Sequence, residues 1–128
     1  MTELIRILHI EDEPDIREIA QMALELIGGF QVDQAECGNA ALERVKLAVP
    51  QLVLTDVQMP GMTGPETLAA IRALPGLETL PAIYMTAKVL DSDHVALRGQ
   101  YDLGVICKPF DPTTLADEIR MLWAGIRD

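Results

Sequence analysis

Residues 52–64 read Leu52-Val53-Leu54-Thr55-Asp56-Val57-Gln58-Met59-Pro60-Gly61-Met62-Thr63-Gly64, and the first five decide the fold class. Three apolar residues in an unbroken row suit a strand covered on both faces, which is the setting of a parallel sheet. The row stops at an acid, Asp56, and Met59 to Gly64 then carries the Pro and Gly of a loop. Pro65 is placed to open a helix bearing Leu68, Ile71 and Leu74 at helical spacing. A strand with a polar end, a loop and a helix make half of a βαβ unit.

The same alternation continues outward in both directions. Toward the N-terminus, Leu4 to Ile10 reads as a strand, and Pro14 suits the first turn of a helix with acids around it. Ile16, Ile19, Ala20, Ala23 and Ile27 form that helix's apolar face, and Gly28-Gly29 ends it. Phe30 to Ala35 is an alternating strand suited to a sheet edge. Asn39 is placed to cap a helix running to about Ala48, with Ala41, Leu42 and Val45 inward and Pro50 as its stop. Toward the C-terminus, Pro81 to Thr86 is a fourth strand, Asp91 to about Gly99 a weaker fourth helix, and Leu103 to Cys107 a fifth strand. Asp111-Pro112 then opens a last helix with Leu115, Ile119 and Leu122. Five strands alternating with five helices predict an α/β domain: a doubly wound parallel sheet covered on both faces. No repeat or linker divides the chain, so residues 1–128 are expected to form a single domain.

Composition removes several function classes. The chain has 128 residues with 49% hydrophobic and 23% charged side chains, which excludes intrinsic disorder. Its formal net charge is −10, from 20 acidic and 10 basic residues, and a field of that sign repels nucleic acid and anionic lipid. Nothing approaches a membrane span, and Arg6, His9 and the acids that follow spoil Leu4–Ile10 as a signal peptide, so a cytoplasmic location is expected. Two cysteines, Cys37 and Cys107, far apart in sequence, read as free thiols. His9 and His94 lack partners at ligand spacing and read as a strand residue and a surface helix residue. Trp123 and the six methionines read as packing.

In open α/β sheets, ligands gather at the carboxyl ends of the strands. Those ends here carry Glu11-Asp12, Asp56, Thr86 and Lys108. Crowded carboxylates need a cation, and an open set of oxygen ligands suits Mg²⁺. An Asp held beside such a metal can act as a nucleophile toward phosphorus, with the metal and a Lys steadying the transferring oxygens. A Thr hydroxyl can donate to one of them.

On these residues the chain resembles the receiver domains of response regulators in two-component signalling. The matching segments are Ile10-Glu11-Asp12-Glu13-Pro14, Leu52 to Gly64, Met85-Thr86-Ala87-Lys88 and Cys107-Lys108-Pro109-Phe110. The resemblance implies a flavodoxin-like sheet in the order 2-1-3-4-5 and a cis Lys108–Pro109 peptide. It implies Asp56 as phosphoryl acceptor, and Mg²⁺ held by Glu11, Asp12, Asp56 and the backbone carbonyl of Gln58. Thr86 and Lys108 are implied to contact the phosphoryl group. The implied partners are a sensor histidine kinase or histidine phosphotransfer protein, and a downstream protein at the face of the fourth and fifth helices and fifth strand. With the chain ending soon after its last helix, a stand-alone signalling switch is expected rather than an enzyme.

Three departures from the family pattern matter. Glu11-Asp12 stands where the family often has two aspartates; the longer Glu11 can still reach a metal-bound water, so Mg²⁺ binding is expected to survive. Val105 stands where many members carry a switch aromatic, for which Tyr84 or Tyr101 could substitute. Gln58 and Lys88, two residues beyond Asp56 and Thr86, are placed to flank the water that hydrolyses the acyl phosphate and so to set its lifetime. The competing readings are a receiver that acts independently of phosphorylation, and a Mg²⁺-dependent phosphatase working through an aspartyl phosphate. Against the second, Gln58 stands where an acid/base Asp would follow Asp56.

Overall fold

A computed structural model describes residues 2–87 and 101–125. Five parallel strands, β1 (Arg6–Ile10), β2 (Gln31–Ala35), β3 (Leu52–Asp56), β4 (Ala82–Thr86) and β5 (Asp102–Cys107), lie in the order β2-β1-β3-β4-β5. Among the described residues four helices surround them: α1 (Pro14–Met22, continued by a π-helical turn over Ala23–Ile27), α2 (Gly38–Leu47), α3 (Gly64–Arg72) and α4 (Leu115–Ala124). The fourth helix expected at Asp91–Gly99, with His94, lies outside the described residues, as does Lys88.

The two faces of the sheet follow from strand parity. Ile7, Leu52, Leu54, Ile83, Met85 and Ile106 point to one side, where they pack with Ala20 and Leu24 of α1 and Leu115 and Ile119 of α4. Leu8, Ile10, Val53, Ala82 and Tyr84 point to the other, against Ala41 and Val45 of α2 and Leu68 and Ile71 of α3. Every residue of β3 and β4 is buried, whereas β2 shows its flank to solvent, which is the edge position its alternation predicts.

Helix ends account for most differences from the sequence reading. Pro14 occupies the first turn of α1, and Thr63 and Glu66 close α3 with a reciprocal capping box. The cap of α2 is Cys37, not Asn39: Cys37 is extended and makes no side-chain cap bond, and Asn39 falls inside the first turn. The last helix begins at Leu115 rather than at Asp111-Pro112. The Asp111 carboxylate instead accepts from the amide and hydroxyl of Thr113, a local turn that competes with helix. In α1 the final turn widens, with the Gly28 amide donating to the Ala23 carbonyl five residues back. This winding carries Ile27 off the core face, where it is exposed. Ile19, two turns earlier in the regular part of α1 and also expected inward, is exposed as well.

Candidate functional site

The carboxyl ends of β1, β3, β4 and β5 bring together what the sequence placed there. Carboxylate oxygens of Glu11, Asp12 and Asp56 all lie within 4.8 Å of one another. Glu11 is fully buried, Asp56 is 8% exposed and Asp12 is half-buried at the rim. Lys108, 52 residues beyond Asp56, donates from Nζ to Asp56 Oδ2 at 2.9 Å and to Glu11 Oε1 at 2.9 Å. One ammonium thus serves two acids at once. Thr86 is buried at the end of β4, and its carbonyl accepts from the Lys108 amide at 2.9 Å. Gln58 lies in the loop after β3 with its side chain exposed. The Lys108–Pro109 peptide is cis.

Local structure explains why these groups meet. The Val57 amide donates to the Met85 carbonyl, extending the β3–β4 ladder past Asp56. The Gly64 amide returns to the Val57 carbonyl, closing the loop against the strand end. A Cβ on Gly64 would collide with the backbone carbonyl of Asp56, so only glycine allows this approach. On the first strand, the Glu11 amide donates to the Ala35 carbonyl, and Glu11 Oε2 accepts from the Glu13 amide. Arg17 reaches back from α1 and donates from Nη1 to the Glu11 carbonyl at 3.0 Å.

The electrostatics follow from burial and pairing. Burial pushes the Glu11 carboxyl above its ordinary range, against the pull of its bonds to Lys108 and Glu13. Burial alone would lower Lys108, but its bonds to Asp56 and Glu11 outweigh it and hold the ammonium charged. His9, fully buried on β1, is pushed down to about 3 by burial, with the nearby charges of Lys108 and Arg17 adding to it. It is therefore neutral at physiological pH.

Three carboxylates converging at an open strand end form a hard, all-oxygen donor set of the kind that suits Mg²⁺. The cluster fits that ion better than it fits Zn²⁺, since no Cys or His ligand belongs to it. Arg17 and Gly64, which bond or pack against the backbone of Glu11 and Asp56, were not singled out by the sequence reading, nor were His9 and Gln34, which bond to each other and to the Arg17 carbonyl behind the turn. Arg17 sits within a run of acids, and His9 and Gln34 meet only through the β1–β2 register, in which they are Cα partners. Val105 lies directly across from Tyr84 in the β4–β5 pairing; Tyr84 is 3% exposed, and Tyr101 is half-buried just before β5.

Comparison with known proteins gives a consistent result. The sequence model described as "Response regulator receiver domain" matches residues 7–120. The chain is 34% identical over 127 residues to response regulator Rre1 of Synechocystis sp., covering 97% of this chain and 54% of that protein. It is 38% identical over 120 residues to the transcriptional regulatory protein DltR of Streptococcus agalactiae, covering 91% of this chain and 51% of that protein. The chain therefore spans about half the length of these two curated relatives. Among solved structures, the chemotaxis response regulator CheY4 of Vibrio cholerae superposes with a TM-score of 0.80 at 26% identity, covering 94% of this chain and 99% of that one. Among the described residues, no helix is long and apolar enough to cross a membrane.

Proposed function

Because the chain belongs to the response regulator receiver domain family, we propose that it is a signalling switch in which Asp56 accepts a phosphoryl group from a histidine kinase or a histidine phosphotransfer protein. The observation that carries this reading is the convergence of Lys108, Glu11 and Asp56 beside Asp12 at the strand ends. A carboxylate oxygen of Asp56 forms a bond to phosphorus while the P–N bond of a phosphohistidine breaks. The bonding pair stays with the imidazole, which takes up a proton. Lys108 then turns from the Asp56 carboxylate to an oxygen of the phosphoryl group, and the Thr86 hydroxyl donates to another. Asp12, Asp56 and the Gln58 carbonyl would hold Mg²⁺, with Glu11 fixing the ion or its water, and the ion would supply positive charge to the transferring oxygens.

Phosphorylation adds about −1.5 to −2 charges and three acceptor oxygens at a site already rich in acids. To act as a switch it must favour one of two surface arrangements, and a full off-to-on change needs about 5.5 kcal/mol of differential stabilisation. The surface in question is the one around β5, α4 and the helix expected over residues 91–99. Val105, half-buried opposite Tyr84 where an aromatic switch residue would stand, favours a second reading in which the partner binds irrespective of phosphorylation.

Intact-protein mass after incubation with acetyl phosphate and Mg²⁺ tests the leading reading. Wild type should gain one phosphoryl group and Asp56→Asn none. Equal masses for the two, with sampling faster than hydrolysis, would remove Asp56 from its role. Equal partner affinity in wild type and Asp56→Asn would establish the second reading.

A further inference from the structure

A ring of hydrogen bonds behind the acidic turn involves two residues that lie in none of the four matching segments. Its first member is His9, on the same face of β1 as Ile7 and fully buried where a strand covered on both faces ordinarily carries an aliphatic residue. Across the edge of the sheet, Gln34 Nε2 lies 3.0 Å from His9 Nδ1 and 2.7 Å from the Arg17 carbonyl. A carbonyl can only accept, so the atom facing it is the amide nitrogen, and its second hydrogen goes to the imidazole. His9 Nδ1 is thereby the acceptor, and Nε2 bears the ring proton. Among the described residues that Nε2 has no hydrogen-bond partner.

From Gln34 the ring runs into the site. Arg17, whose carbonyl Gln34 holds, donates to the Glu11 carbonyl, and its own amide donates to the Glu13 carbonyl. Glu11 Oε2 accepts from the Glu13 amide, and the Glu11 amide is fixed to Ala35, next to Gln34. The bonds close from β1 through β2 and α1 to the turn at residues 11–13, two residues beyond where they began. The turn bearing Glu11 and Asp12 is thus clamped between the strand edge and the first turn of α1. A buried N–H left unpaired weakens the fold, and an aliphatic side chain would avoid that cost. The return for it is at the site.

We propose that His9 and Gln34 are positioning residues, which hold the Glu11–Asp12 turn in its cation-binding shape through Arg17. The proposal rests on the Mg²⁺-dependent reading above. Residues that orient metal ligands without touching the metal are often nearly as important to affinity as the ligands themselves.

Mg²⁺ titration by calorimetry, paired with thermal melting in the absence of the ion, tests it on wild type, His9→Val, Gln34→Met and the double variant. His9→Val should melt no lower than wild type yet bind Mg²⁺ roughly tenfold more weakly. Gln34→Met, on the half-buried edge strand, should show the same loss of affinity, and the double variant no more than either single one, because both act through one link. Unchanged affinity in both single variants, in a wild type that binds the ion, would overturn the proposal and leave the metal site standing. Weaker binding that tracks a lower melting temperature in both would reduce the pair to a structural role and overturn it as well. A wild type that takes up no Mg²⁺ at millimolar concentration would overturn the underlying reading together with this one.

Discussion

Lys108 reaches Asp56 across the width of β4: its ammonium stands 2.9 Å from Oδ2, although the two residues are 52 positions apart, Asp56 ending β3 and Lys108 following β5, strands that do not pair with each other. The same ammonium is shared with Glu11. The site is therefore neutralised in part by the chain itself, with a single cation answering to two buried acids. Removing one partner of a buried charged cluster costs more than the cluster is worth, because the charge left behind has no compensation.

Lys108→Met, which keeps the bulk of the side chain, should lower stability by about 3 kcal/mol at neutral pH. The loss comes from Glu11 and Asp56 facing each other unpaired. Saturating Mg²⁺ should recover most of it by supplying the missing charge. Urea denaturation of wild type and variant, each with and without the ion, reads both numbers. A loss that Mg²⁺ leaves untouched would mean that the ion does not bind at these acids.

Gln58 is exposed two residues beyond Asp56, and the function proposed above puts it beside the water that would hydrolyse the acyl phosphate. Gln58→Ala should shorten the life of the aspartyl phosphate severalfold by opening that water's approach. The rate of phosphate loss from phosphorylated wild type and variant, followed by intact mass, measures it. Identical decay would assign control of the lifetime elsewhere.

Arg72 ends α3 by donating twice to the Leu80 carbonyl, from Nε at 3.0 Å and Nη2 at 2.8 Å, and once to Asp102 Oδ1 at 3.0 Å. These bonds tie α3 to the entry of β4 and the start of β5 in a setting where Asp102 is almost covered. Arg72→Met should cost about 2 kcal/mol, since it leaves the Leu80 carbonyl without its two donors and takes one charged partner from the Asp102 carboxylate. Chemical denaturation checks it. The phosphoryl uptake proposed above for Asp56, at the opposite end of the strands, should be retained.

Tyr84 supplies a pH test. Burial, with Asp102 adding to it and Arg72 opposing, pushes its phenol from 10 to about 12. An acid raised in the folded state keeps its proton there after the unfolded chain has lost it. Its contribution is complete below pH 10 and disappears as pH rises toward 12. Unfolding free energy should thus fall across that window, and Tyr84→Phe should remove this part of the slope. Parallel slopes in the two proteins would show that the phenol titrates as it does in water.

The strands, their order at the edge and the polar residues at their ends could be read from the chain because each leaves a local signature. Leu52-Val53-Leu54 before Asp56 is such a signature, and so is Pro14 after Glu13. What escaped was set by register or by backbone detail. His9 and Gln34 become partners only when β1 and β2 are aligned, and Arg72 meets Asp102 only when α3 ends beside β5. Asn39 was the better cap by chemistry, yet the chain enters α2 two residues earlier, at Cys37. The π turn that exposes Ile27 has no marker in residue type, since it is a change of winding rather than of composition.

Gly64 bears on how such a site can be altered. It offers no functional group, but its bare Cα is what lets the loop lie against the Asp56 carbonyl. Even the smallest side chain there would lever the Asp56 backbone away from Lys108 and from Glu11 and Asp12, just past β1. The tolerance of the whole centre to substitution is thus bounded at a position where nothing chemical happens, and an inventory of reactive groups would pass over it.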